Sequence, residues 1–150
     1  KINVLNLKDF TWDEGFRGPN LPIVSVTYLP EQEKLLLSTE QQSELYVYDY
    51  QTRKRVSKIK FKVPTNFNRL APIPNSKHLI TGFSNGGVAI LKWSEDNKSL
   101  QIAKKTKLIK QPVRELKFSP EGNCIMLSHG SGEVSYYDLD TLSQSNKLTA

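Results

Sequence analysis

The chain of 150 residues has one cysteine, two histidines and no apolar run that approaches the ~20 residues a helix needs to cross a bilayer. Each shortage excludes something. A lone Cys124 cannot close an intrachain disulfide, which fits a reducing, intracellular setting, cytoplasmic or nuclear. The two histidines, His78 and His129, have no Asp or Glu at a spacing that forms a base–orienter pair. No Cys/His cluster of zinc-binding spacing, no P-loop and no dinucleotide fingerprint is present. The expectation is a protein without enzymatic activity, cofactor or metal, with Cys124 acting as a small buried hydrophobe. The first ten residues, KINVLNLKDF, are too polar for a signal peptide. No segment sustains a 3.6-residue apolar period, so no helix of three turns or more is expected.

What is there is a repeat. Three stretches align: VSVTYLPEQEKLLLSTEQQSELYVYDY (24–50), FNRLAPIPNSKHLITGFSNGGVAILKW (67–93) and VRELKFSPEGNCIMLSHGSGEVSYYDL (113–139). Pro30, Pro74 and Pro120 stand 44 and 46 residues apart. Asp49, Trp93 and Asp138 stand 44 and 45 apart. Five residues after each proline an apolar run begins: Leu35-Leu36-Leu37, Leu79-Ile80 and Ile125-Met126-Leu127. Such short continuous runs read as strands buried on both faces. Asn85-Gly86-Gly87 and Gly130-Ser131-Gly132 supply hairpin-turn residues, whereas the first copy has Gln41-Gln42-Ser43 there. Alternation in residues 45–48 sends Leu45 and Val47 one way and Tyr46 and Tyr48 the other. Inner strands are expected at 24–28, 68–73 and 113–118, and a fourth, more polar strand at 55–61, 100–108 and 145–149. Four antiparallel strands per unit of about 45 residues is the signature of a β-propeller blade.

The units resemble the WD-repeat β-propeller family over residues 23–150. Phe118-Ser119-Pro120-Glu121-Gly122 is similar to that family's aromatic-Ser-Pro-acidic-Gly turn, and Tyr48-Asp49 and Tyr137-Asp138 stand where it often has Trp-Asp. The second copy has Lys92-Trp93 there, and the Gly-His pair that precedes the family's first strand is absent. Ser38 and Ser128 occupy the position of the family's network serine without an obvious partner, so apolar packing is expected to hold the blades. The resemblance implies an all-β, incomplete propeller of three four-stranded antiparallel blades, at 23–66, 67–112 and 113–150. It also implies a scaffold in a multiprotein assembly, an inference from fold alone.

Three blades do not close a ring, and an open stack exposes two apolar faces that soluble monomers rarely tolerate. The remainder of a longer chain, another protein, or a second copy forming a six-bladed ring would each cover them. A start at Lys1 favours the first. Residues 1–22 read as the outer strand of a preceding blade (residues 2–7) plus a long connection (8–21). That connection carries Trp12, Phe16 and Arg17, residue types of binding hot spots. They are expected either to fold back on a blade as a plug or to face a partner. The inter-blade loop at 64–68, with Asn66 and Phe67, is a second candidate contact.

The net charge is +6. Cations cluster at Arg53, Lys54, Arg55, Lys58, Lys60 and Lys62, and again at Lys98, Lys104, Lys105, Lys107, Lys110 and Arg114. Both groups fall around an expected outer strand. They read either as protection of a sheet edge or as a basic rim for acidic protein, acidic membrane or nucleic acid. No exposed aromatic platform accompanies them, as single-strand binders need.

Overall fold

The computed structural model describes residues 1–40, 43–61, 67–107 and 111–148, with the backbone alone at 67, 107 and 145–148. Three four-stranded antiparallel sheets follow one another along the chain, each from strands consecutive in sequence. The first contains β3 (Ile23–Leu29), β4 (Lys34–Thr39), β5 (Glu44–Asp49) and β6 (Arg55–Lys60). The second contains β7 (Phe67–Pro72), β8 (Leu79–Phe83), β9 (Gly87–Trp93) and β10 (Leu100–Lys107). The third contains β11 (Val113–Phe118), β12 (Cys124–His129), β13 (Val134–Asp138) and β14 (Gln144–Leu148). A short 3-10 turn, Pro30–Gln32, is the one helical element among the described residues. The sheets are the three expected blades, and the fold is an all-β propeller arrangement. Leu108 and Thr149, expected in fourth strands, lie outside the described residues, as does most of the turn at Gln41-Gln42.

Two-sided burial explains the apolar runs. In β4, Leu36 packs toward the second blade while Leu35 and Leu37 pack the opposite way. In β5, Leu45 and Val47 share the side of Leu36, and Tyr46 and Tyr48 the other. The first core cluster joins blades one and two through Leu36, Leu45, Leu79, Ala89 and Leu91. The second joins blades two and three through Ile80, Val88, Val113, Ile125 and Leu127. These side chains are at most 1% exposed. Each large one contributes about 1.5–3 kcal/mol by leaving water. Ser38, in β4, is also fully buried, and its hydroxyl has no hydrogen-bond partner among the described residues.

The turns repeat as the strands do. Asp49 Oδ1 accepts from the backbone N and Oγ1 of Thr52, both at 2.7 Å. Asp138 does the same with Thr141, again at 2.7 Å. The Asp of each Tyr-Asp pair thus closes the turn between third and fourth strands. Gly86 and Gly132, both at φ 83°, take the left-handed position of the second-to-third-strand turns. Backbone bonds Tyr50 N to Glu33 O (2.8 Å) and Leu139 N to Asn123 O (3.0 Å) place the proline turns and the Asp turns at one end of the blades.

Residues 1–22 hold one strand inside the segment expected as a strand and a second that was not expected. Within the segment expected as a connection, β2 (Trp12–Phe16) pairs antiparallel with β1 (Ile2–Leu5) as a two-stranded sheet. Two side-chain turns reverse the chain between them: Asn6 Oδ1 accepts from Lys8 N (2.9 Å), and Asp9 Oδ1 from Thr11 N (3.1 Å). The hairpin lies on the free side of the first blade, where Ile2, Val4 and Phe16 join Leu35, Leu37, Tyr46 and Tyr48 in a third core cluster.

Candidate interaction surface

The inner strands carry side chains that tie neighbouring blades. Arg69, on β7, donates from Nη1 to Val24 O in the first blade (3.3 Å), and its Nε lies 3.6 Å from Glu115 Oε2 in the third. Thr27 Oγ1 donates to Leu70 O at 2.7 Å, and Asn68 Nδ2 to Val113 O at 3.0 Å. One arginine therefore touches all three blades. Sequence reading passed over it. The signal was present: when the prolines are aligned, Ser25, Arg69 and Glu115 share one repeat position, with opposite charges in successive copies.

The hairpin separates the aromatic candidates. Phe16 is 1% exposed, packed edge-on against Tyr48 (6.2 Å, 89°) and 5.8 Å from Tyr50. It is part of the fold and cannot reach a partner from this position. Trp12 is 69% exposed, near Phe10 (73%) and Leu7 (76%) at the hairpin tip. Asn66 lies outside the described residues, and Phe67 opens β7 with only its backbone described. On β3, Val26 and Tyr28 are exposed on the side of the blade that the hairpin only partly covers. On the third blade, Cys124, Met126, Val134 and Tyr136 are half-buried on the face turned away from the second. Cys124 is thus half-buried rather than buried, because no sheet of the described residues lies against that face.

The described cations differ in their surroundings. Lys58 Nζ is 2.8 Å from Glu44 Oε2 and sits over the Tyr46 ring at 5.5 Å. Burial is the largest single influence on Glu44 and opposes its charge, yet the hydrogen bond and charge of Lys58, the Tyr46 hydroxyl and the Lys60 charge together outweigh it and hold the carboxyl below its ordinary value. The same bond raises the Lys58 ammonium. Lys104 Nζ donates to Asp140 O of the third blade at 2.7 Å. Lys60, Lys98, Lys105 and Arg114 are exposed. Lys62 and Lys110 lie outside the described residues, as does the side chain of Lys107.

Arg53, Lys54 and Arg55 behave differently. They meet Arg17, which follows the hairpin, in a cleft of about 500 Å³ that Asn20 and Tyr48 also line. Tyr48 Oη donates to Arg17 O at 3.1 Å, and Arg53 Nη2 pairs with Asp13 Oδ2 at 2.5 Å while its Nη1 donates to Glu14 O. This convergence of residues some 36 positions apart had no signature in either segment alone.

His78 Nδ1 is 2.8 Å from Ser76 Oγ in an exposed turn. His129 is buried at 4% exposure at the end of β12, opposite Val113, and its backbone N donates to Glu133 O at 3.0 Å. Among the described residues no group of three or more His, Cys, Asp or Glu is placed to hold a metal ion, and no helix is long and apolar enough to cross a membrane. A family model described as NUP159/214 beta propeller matches residues 5–150.

Proposed function

The chain belongs to the NUP159/214 β-propeller family, a propeller class related to but distinct from WD repeats, and we propose that it serves as a non-enzymatic protein-interaction scaffold in a multiprotein assembly of the nuclear pore. The observation that carries this reading is a locked frame with an exposed apolar tip. Arg69, Thr27 and Asn68 bind the three blades into one unit, and the hairpin held down by Phe16 presents Leu7, Phe10 and Trp12 to solvent. Rigid sheets carrying exposed turns are a support for recognition rather than for chemistry. Large apolar side chains clustered at an exposed position are residue types that anchor partners. Trp12 and Arg17 are the contact residues in this reading, with Phe16 as their foundation. The part of the first blade that the hairpin leaves open and the far face of the third blade would meet further blades, from the same polypeptide or from another.

A photo-reactive amino acid at position 12 of the intact protein, irradiated in its native assembly, tests this. Cross-links to another protein are the expected result. Cross-links confined to the protein's own polypeptide would show that the tip is an internal plug and would sink the reading.

A further inference from the structure

We propose that the cleft between the hairpin and the outer edge of the first blade binds the phosphate group of a phosphorylated segment of a partner protein. The inference rests on the scaffold reading and assigns it a second recognition site.

The charge balance points to an anion. Arg17, Arg53, Lys54 and Arg55 line the cleft, and no carboxylate does. Asp13 and Glu14, the nearby acids of β2, are spent on Arg53, at 2.5 and 3.8 Å. Among the described residues no ion pair engages Arg17, Lys54 or Arg55. Three unmatched cations around one concavity repel one another, a burden on folding that an incoming anion relieves.

The fold does not demand this cluster. At the left-handed position of the Asp turn, blade one has Arg53, blade two Asn97 and blade three Leu142. The two residues that follow are Lys54-Arg55, Lys98-Ser99 and Ser143-Gln144. In the third blade Leu142 points into the core, 4% exposed. The same turn thus closes with an apolar or a neutral residue at the left-handed position, and without a cation at the place of Arg55 in either other blade.

The cleft is also built rather than loosely assembled. Tyr48 is 2% exposed, and its hydroxyl fixes Arg17 through the carbonyl of that residue. Asp49 closes the turn that presents residues 53–55. The backbone that presents the donors is thus fixed before binding, so only their side chains lose freedom on engaging a ligand. Paired guanidinium forks match the several oxygens of a phosphate better than one carboxylate fills them.

A phosphorylated peptide fits better than a polynucleotide or a membrane. The concavity is single and flanked by the acids Asp13 and Glu14. Farther along the rim, Lys58 and Lys104 are engaged by Glu44 and by Asp140 O. Among the described residues the track of free cations that a phosphate backbone needs is therefore interrupted.

The test uses the intact protein and fluorescence anisotropy with four probes: a degenerate phosphoserine-centred peptide library, its unphosphorylated twin, a single-stranded RNA oligomer, and vesicles containing phosphatidylinositol phosphates. The phosphorylated library should bind about tenfold or more tightly than the twin, as expected for charge-assisted, bidentate contacts. Arg17→Ala combined with Arg55→Ala should remove that preference, and Lys60→Ala should leave it. Should the double variant melt below the parent, Lys54→Ala gives the same readout from a side chain that no described contact holds. Equal binding of the twin, preference for RNA or vesicles, absence of binding, or retained preference in the cleft variants would each overturn the proposal. Cross-links from position 12 that persist after such a result would leave the scaffold reading standing, so the two fail separately.

Discussion

Gly82, in β8, lies so close to Val113, at the start of β11, that a methyl group on Gly82 would fall 2.5 Å from Val113 Cγ1 and 2.7 Å from its Cβ. The second and third blades meet there backbone to side chain. A glycine at this place reflects the distance between two sheets rather than a turn. Gly82→Ala should therefore destabilise the protein by about 1–3 kcal/mol, as overpacking of a tight core does. Adding Val113→Ala should return part of the loss, because it removes the Cγ1 and Cγ2 contacts and leaves only the Cβ in the way. Denaturant midpoints of the two single variants and the double variant check this; strictly additive losses would refute the contact.

The tie between the first and second blades is as specific. Thr27 is 6% exposed and donates to Leu70 O. Thr27→Val keeps the shape and leaves that carbonyl without its side-chain donor, at a cost of about 1 kcal/mol. Chemical denaturation should show it, with the slope unchanged. An unchanged midpoint would mean that the bond contributes nothing net.

Acid should loosen the turns. Hydrogen bonds from the backbone N and hydroxyl of Thr52 hold Asp49 below the ordinary aspartate value of 3.8, and Thr141 does the same for Asp138. A carboxylate depressed in the native state contributes stability that is complete above its unfolded value and is lost as pH falls through the depressed native value. The loss therefore belongs below about pH 4. Asp49→Asn with Asp138→Asn keeps an acceptor oxygen at each turn and removes the titration. Melting temperature followed from neutral to acid pH should then fall less steeply below about pH 4 than in the parent. Matching acid limbs would exclude these two groups as the cause.

The hairpin should respond unequally to its two aromatics. Phe16→Ala empties the core between hairpin and first blade and should cost about 3–5 kcal/mol, or free the hairpin locally. Trp12→Ala, at an exposed site, should stay within about 0.5 kcal/mol. Amide hydrogen exchange across β1 and β2 separates the cases. Rapid exchange there with Phe16→Ala alone is the expected pattern, and equal effects of the two changes would contradict the placement of Phe16.

Much of the fold was legible in the chain. Prolines at 44- and 46-residue spacing marked the blades, and the Leu35-Leu36-Leu37 run announced a strand buried on both sides. The Asp of each Tyr-Asp pair could be located, though its work as the acceptor that closes a turn became visible only with the bonds to Thr52 and Thr141. The hairpin was missed because its turn is built from Asn6 and Asp9 side chains rather than from an Asn-Gly or Asp-Gly pair.

What the sequence determined by itself is local and periodic: alternation decides which way a strand side chain faces, and turn residues decide where the chain reverses. Only the tertiary structure decided the rest. It brought Arg17 beside Arg53, Lys54 and Arg55, let Arg69 span three blades, spent Lys58 and Lys104 on neighbours, and buried Phe16 while leaving Trp12 in water. The physical reason is that these outcomes depend on distances between sheets, and sheet-to-sheet distance follows from the summed packing of many side chains, not from any one repeat.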